Sequence, residues 1–134
     1  MTKINVVSTI ARIVLGILFV AHGLDKFQMG LGNVEAWFDS IGVPGPLAYA
    51  VAYIELVGGI LLIAGIFTRY VAALLVIILI GAIITTKLSV GLLGNGQMAG
   101  YELDLSFIVI AVYLIVADRS PLSLDHMLWR KRSA

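Results

Sequence analysis

Residues 70–86 form an apolar run that contains no charged side chain, and the runs 4–21, 47–67 and 101–117 are almost as apolar. A transmembrane helix needs about 20 mostly apolar residues. Strands of a membrane β-barrel would instead alternate apolar and polar residues, and these runs do not alternate. We therefore predict an all-α integral membrane protein, a single domain over 1–134 built as a four-helix bundle.

The composition supports this prediction and excludes other classes. Of the 134 residues, 60% are hydrophobic and 13% are charged, whereas soluble domains average about 25% charged residues. A soluble protein of this size buries too small a fraction of its surface to hide so much apolar area. The net charge of +1 gives no field that would attract nucleic acid. The predicted surroundings are a lipid bilayer, with no nucleic-acid partner.

Motifs for resident cofactors are missing from the sequence. The chain has no cysteine, which excludes disulfides, CxxC redox chemistry, iron–sulfur ligation and covalent haem attachment. Its two histidines, His22 and His126, lie far apart, so no metal site is predicted. The glycine-rich stretch 91–100 follows no predicted strand, which argues against a dinucleotide fingerprint or a P-loop. The cofactor is left unknown, with no haem, flavin, NAD or metal motif.

The segment between the first two spans has the pattern of a short amphipathic helix. Its apolar residues recur at helical spacing: Val34, Trp37, Phe38 and Ile41. Asn33 suits an N-cap and Gly42 a C-terminal cap. The pattern predicts a helix over about 33–41 that lies in the membrane interface, with its aromatic side chains among the lipid headgroups. A plain surface loop is the alternative.

The distribution of basic residues predicts the orientation. With the N-terminus in the cytoplasm, the outer side carries only Lys26 and Lys87. The inner side then carries Lys3, Arg69, Arg119, Arg130, Lys131 and Arg132. Basic residues accumulate on the cytoplasmic side, so both termini are predicted to be cytoplasmic in a multi-pass plasma-membrane protein. The basic tail, 118–134, suits contact with anionic lipid. The first span ends in a poor cleavage site and is predicted to be retained rather than cleaved as a signal peptide.

Arg12 and Glu55 lie inside the first and second predicted spans, where a charge costs about 2.5–3.5 kcal/mol to insert. Such residues usually face the bundle interior with a partner. Counted from opposite membrane faces, their backbones differ in depth by only about 6 Å. The sequence predicts an Arg12–Glu55 ion pair, and Gly16 and Gly59, one turn later, would allow the two helices to approach closely. The pair is either a packing lock or part of a polar pocket in which Arg12 keeps Glu55 ionised.

A second group of polar residues lies near the predicted outer ends of the spans. Its members are His22, Asp25, Lys26, Lys87, Glu102 and Asp104. If the face of Glu102 points inward, this group rings a vestibule with Glu55 deeper inside. Carboxylates beside Lys and His in a partly dehydrated site suit proton relay, which quinone chemistry and transport both need. The alternative for Glu102 and Asp104 is that they complement a helix dipole.

Several of these residues occur in a recognisable order. The chain contains Arg12-x3-Gly16, His22-Gly23-x2-Lys26, Glu55-Leu-Val-Gly-Gly59, Gly65-Ile-Phe-Thr-Arg69, Glu102 and Ser123-Leu124-Asp125. In order and spacing these motifs resemble the DoxX family of small four-helix membrane proteins, named after a subunit linked to thiosulfate:quinone oxidoreduction. The resemblance implies quinone-linked or thiol-linked redox function. The matching polar positions are Arg12, His22, Lys26, Glu55 and Glu102.

Three functional hypotheses follow. In the first, the protein takes part in quinone-linked redox chemistry, with Glu55, Glu102 and Arg12 as catalytic groups. Substrate would then be bound by His22, Lys26, Lys87 and Asp104. In the second, the chain is a non-catalytic membrane subunit that anchors a soluble redox partner. In the third, it is a carrier of protons or small solutes. Its glycine-rich helix faces suit packing either within one bundle or between protomers of a homo-oligomer.

Overall fold

The computed structural model describes residues 3–96, 100–117, 123, 124 and 127. All regular secondary structure within these ranges is helical. The elements are α1 (Lys3–Met29), α2 (Leu31–Ser40), α3 (Leu47–Ala64), α4 (Thr68–Ala82), which continues as a π-helical turn (Ile83–Lys87), and α5 (Glu102–Val116). Of the predicted basic tail, 118–134, only Ser123, Leu124 and Met127 are described.

Among the described residues, three helices are long and apolar enough to cross a membrane: Lys3–Met29, Leu47–Ala64 and Thr68–Lys87. Helix α5 coincides with the fourth predicted span, 101–117, and its 15 residues extend about 22 Å at 1.5 Å per residue. Residues 33–41, predicted to be a short helix, fall mostly within α2. The fourth crossing, the interfacial position of α2 and the cytoplasmic termini remain predictions.

The first helix is longer than its apolar run. It was expected over 4–21 but continues to Met29. The additional turns contain Asp25 and Lys26, whose charges end the apolar run without ending the helix. It ends at Met29, before Gly30, whose φ of 91° is accessible mainly to glycine.

Glycines bring α1 and α3 into close antiparallel contact. A methyl group added to Gly16 would lie 2.7 Å from the carbonyl oxygen of Gly59, and one added to Gly23 would lie 2.8 Å from the backbone nitrogen of Leu56. The predicted close approach at Gly16 and Gly59 is therefore present, and it fixes how far one helix is displaced along the other.

The second half of the bundle packs around aromatic and aliphatic side chains. Phe107 and Ala111 of α5 are buried with Leu75 of α4 and with Leu15 and Phe19 of α1. Large apolar side chains also cover the outer surface, and the most exposed include Tyr70, Ile77, Val109 and Val116. An apolar exterior of this kind suits lipid rather than water as the solvent.

Candidate functional site

A cavity of about 430 Å³ lies between the helices at the end of the bundle where α1 and the π-helical turn finish. All five helices contribute to its wall. Most of the lining is apolar, including Phe19, Trp37, Phe38, Leu79 and Phe107. Cavities of this size and character, with a few converging polar groups, are typical small-molecule sites.

Two ion pairs stand in the cavity wall. Lys26 Nζ of α1 lies 2.9 Å from Glu55 Oε2 of α3, and the Glu55 side chain is 8% exposed. Lys87 Nζ of the π-helical turn lies 2.8 Å from Asp104 Oδ2 of α5, whose side chain is 9% exposed. Each pair thus joins two different helical elements. The four charges cancel, so the site carries no net charge from these groups.

His22 lies in the same wall, one helical turn before Lys26. Its Nδ1 is 2.7 Å from the carbonyl oxygen of Leu18, so this nitrogen donates a hydrogen bond to the preceding turn of α1. The imidazole ring is flanked by Phe19 and Phe107, with ring centroids 6.2 and 5.9 Å away. The structure therefore brings together His22, Lys26, Glu55, Lys87 and Asp104.

Arg12 does not pair with Glu55, which corrects the ion pair expected from the sequence. Its guanidinium donates to the carbonyl oxygens of Leu62 and Ile63 at 2.6 and 2.9 Å, near the C-terminal end of α3. These carbonyls lie seven and eight residues beyond Glu55, or about 11 Å along the helix. Arg12 is 2% exposed and lies outside the cavity lining. It stabilises a helix end, where a positive charge is favourable.

Of the two alternatives for Glu102, the one in which its face of α5 points inward is wrong. Glu102 and Ser106 are exposed on α5 and do not line the cavity. Asp104, two residues on and therefore rotated by about 200° around the helix, is buried at the cavity wall. The two acidic residues in the first turn of α5 thus lie in different surroundings. Glu102 is at the surface, where a negative charge complements the dipole of the helix.

Several residues that line the cavity were not predicted from the sequence, among them two aromatic and two hydroxyl side chains. Trp37 and Phe38 of α2 line the cavity, a contact that their predicted place among lipid headgroups did not indicate. Thr85 and Thr86 come from the π-helical turn and donate to the carbonyls of Gly81 and Ala82 at 2.7 and 2.6 Å. The helical spacing of α2 predicted which face is apolar but not what that face covers, and no sequence signal marked the π-helical turn.

Comparison with known proteins places this arrangement in a family. The model of the DoxX family matches residues 7–88 of the chain. The chain belongs to the DoxX family. The matched region runs from α1 through the end of the π-helical turn and so includes His22, Lys26, Glu55 and Lys87. Asp104 lies outside it.

Relatives of this DoxX-family chain come from several bacteria. It is 40% identical over 119 residues to the Bacillus subtilis protein named "Putative oxidoreductase CatD", covering 89% of this chain and 84% of the relative. It is 31% identical over 137 residues to "Uncharacterized membrane protein Rv3486" of Mycobacterium tuberculosis, covering 92% and 82%. An uncharacterized Haemophilus influenzae protein is 28% identical over 125 residues, covering 90% and 89%. No solved structure matches the chain.

The position of Arg12 in this DoxX-family bundle predicts how its replacement changes the stability of the protein. Arg12→Met is expected to destabilise the protein by about 2 kcal/mol, because it removes charge-assisted hydrogen bonds to the Leu62 and Ile63 carbonyls. Thermal unfolding in detergent, followed by circular dichroism, measures the loss. Arg69→Met, at an exposed arginine in the first turn of α4, is the control and should change little. Equal effects of the two substitutions would contradict a special role for Arg12.

Proposed function

We propose that this protein binds a quinone in the cavity and takes part in quinone-linked redox chemistry at the plasma membrane. The observation that carries the proposal is the presence of two lysine–carboxylate pairs in the wall of one aromatic-lined cavity. A quinone ring is flat and apolar on its faces and has oxygen atoms at its edge. Phe19, Trp37 and Phe107 suit the faces of such a ring, and the ammonium groups suit its oxygens.

Charge favours a quinone over an anionic substrate. In the described part of the chain, each lysine that lines the cavity has a carboxylate within 2.9 Å, so these lysines offer no unpaired positive charge to a ligand. An anion such as thiosulfate would lose its hydration in an apolar cavity without gaining a compensating charge. A neutral ring avoids that cost. The cavity therefore supports the quinone-linked hypothesis more strongly than the thiol-linked one.

The paired groups suit the proton transfers that quinone reduction requires. Reduction of a quinone consumes two electrons and two protons and gives a quinol with two hydroxyl groups. Lys26–Glu55 and Lys87–Asp104 each contain a group that can donate a proton to a quinone oxygen and a group that can accept one back. We infer that these pairs exchange protons with the ligand and that a soluble redox partner exchanges the electrons.

The proposed topology puts this chemistry near the outer membrane surface. We infer that α5 completes a fourth span and that both termini are cytoplasmic, as the bias of basic residues indicates. Lys26 and Lys87 then lie at the outer ends of their helices, beside the cavity. Trp37 and Phe38 of α2 cover the cavity from the loop side. A lipophilic ring entering from the bilayer would meet the polar pairs close to water that supplies protons.

Tryptophan fluorescence gives a direct test. The chain has two tryptophans, Trp37 and Trp129, and Trp129→Phe leaves Trp37 in the cavity wall as the reporter. Titration of this variant in detergent with menadione, a compact quinone, is expected to quench Trp37 fluorescence saturably. Adding Glu55→Gln should weaken binding about tenfold, the equivalent of 1.4 kcal/mol from one disturbed charged contact.

Two comparisons make the test specific. Glu102→Gln removes an acid that is exposed on α5 and does not line the cavity, so it should leave the menadione affinity unchanged. Sodium thiosulfate should not compete with menadione. Quenching that rises linearly without saturation, or that is equally sensitive to Glu55→Gln and Glu102→Gln, would argue against a quinone site in the cavity.

A further inference from the structure

His22 differs from the four charged residues of the cavity in its hydrogen-bonding state. Its Nδ1 faces the Leu18 carbonyl at 2.7 Å, and because a carbonyl only accepts, Nδ1 must carry a hydrogen. In the neutral imidazole the second nitrogen, Nε2, then has a free lone pair. Since Nδ1 is turned back to its own helix, Nε2 is the ring nitrogen directed away from α1. The tautomer is thus fixed by the backbone.

The ring is also held in place. Phe107 meets it edge-on, with an interplanar angle of 90° and a centroid distance of 5.9 Å, and Phe19 packs against it at 6.2 Å. Together with the Leu18 hydrogen bond, these contacts restrict rotation of the side chain. A fixed acceptor loses little conformational freedom when a ligand binds.

The charged groups facing the same cavity set the balance of donors and acceptors. Lys26 of α1 already donates to Glu55 of α3, and Lys87 of the π-helical turn forms an ion pair with Asp104 of α5. The carboxylates and His22 Nε2 are acceptors. A neutral ligand that brings its own hydroxyl hydrogens can satisfy these acceptors, whereas a ligand bearing only carbonyl oxygens cannot.

We propose that His22 is a ligand-binding residue that accepts a hydrogen bond from a phenolic hydroxyl, so that the cavity holds the quinol more tightly than the quinone. This inference rests on the proposed function and specifies which redox form the site prefers. The quinone gains two electrons and two protons to become the quinol, and tighter binding of the quinol raises the midpoint potential of the bound couple. A tenfold preference corresponds to about 30 mV for two electrons.

The experiment compares three ligands of one skeleton on the protein in detergent at a single fixed pH. They are menadione, its quinol kept reduced under anaerobic conditions, and the quinol dimethyl ether, which has no hydroxyl hydrogen. Binding is measured by calorimetry. Wild-type protein is expected to bind the quinol about tenfold more tightly than the ether or the quinone. His22→Phe keeps an aromatic ring between Phe19 and Phe107 and should abolish most of that preference, while His22→Gln, which restores an acceptor oxygen, should recover part of it.

The outcomes separate this inference from the proposed function. If none of the three ligands binds wild-type protein, the proposed quinone site fails, and the role of His22 fails with it. If the ligands bind but the wild type shows no preference for the quinol, or His22→Phe retains the preference, the role of His22 is overturned while the quinone site stands. Loss of the preference in His22→Phe with partial recovery in His22→Gln supports it. A thermal-unfolding scan of each variant confirms that only folded protein is compared.

Discussion

Gly16→Ala is expected to destabilise the protein by about 2–3 kcal/mol, lowering the midpoint of thermal unfolding by about 10 °C. The added methyl carbon would lie 2.7 Å from the Gly59 carbonyl oxygen and 3.0 Å from the Ile63 backbone nitrogen. A third atom, the side-chain Cγ1 of Ile63, would lie at 2.9 Å. Because the Gly59 oxygen and the Ile63 nitrogen belong to the backbone, the clash is relieved only if α1 and α3 move apart. Gly59→Ala should behave in the same way, since its methyl carbon would meet the Gly16 carbonyl oxygen at 2.6 Å.

Gly81→Ala is the matched control for this substitution. Gly81 also lies within a helix, α4, but a methyl group there meets no atom within 4 Å. Alanine has a higher helix propensity than glycine by up to about 1 kcal/mol, so this variant should be unchanged or slightly more stable. Circular dichroism melts in one detergent compare the variants, with size-exclusion profiles to detect aggregation. If Gly16→Ala melts at or above the temperature of Gly81→Ala, close backbone contact does not hold α1 to α3.

The apolar runs account for the parts of the fold that the sequence could predict. Runs of apolar residues predicted α1, α3 and α4 because a spanning helix must satisfy its backbone internally and bury an apolar surface in lipid. Helix ends were less accurate. The second run was expected to reach residue 67, but α3 ends at Ala64 because Gly65 adopts a left-handed conformation with φ 77°.

The register between helices could not be read from the run boundaries. The expected Arg12–Glu55 pair assumed that the ends of both runs lie at the membrane faces. In the structure the Gly16–Gly59 contact sets the register, which moves Arg12 to the last turn of α3 and leaves Glu55 beside Lys26. Lys26 was available as a partner in the sequence, on the same helix face as Arg12, but it was assigned to the outer rim because Arg12 matched the expected depth of Glu55.

The orientation of α5 shows a second limit. Glu102 and Asp104 have the same chemistry and lie in the same helical turn, so composition could not distinguish them. The buried face of α5 is Asp104, Phe107, Ala111 and Leu114. These residues are spaced by three and four, but the competing face of Glu102 and Ser106 has the same spacing. Only the partners of each face, Lys87 among them, decide which one is buried.

Lys26→Met is expected to cost about 3–5 kcal/mol, the second large effect, because it leaves the nearly buried Glu55 carboxylate without its counter-charge. Exchanging the charges, Lys26→Glu with Glu55→Lys, should restore much of the loss. The exchange Arg12→Glu with Glu55→Arg should restore none, since Arg12 contacts the Leu62 and Ile63 carbonyls instead. Thermal melts of the single and double variants give the coupling energy of each pair. Rescue by the Arg12 exchange, or no rescue by the Lys26 exchange, would contradict the observed pairing.

Replacing the whole pair separates stability from ligand binding. Lys26→Met combined with Glu55→Leu removes both charges while keeping similar side-chain volumes, and such replacements of buried pairs are often neutral or stabilising. We expect this double variant to melt near the wild-type temperature but to bind menadione at least about tenfold more weakly, since the cavity loses a donor and an acceptor together. Restored stability with unchanged menadione affinity would mean that Lys26 and Glu55 serve only to hold α1 against α3. Restored stability with lost affinity would assign the pair to the ligand, because packing alone does not require charge at that position.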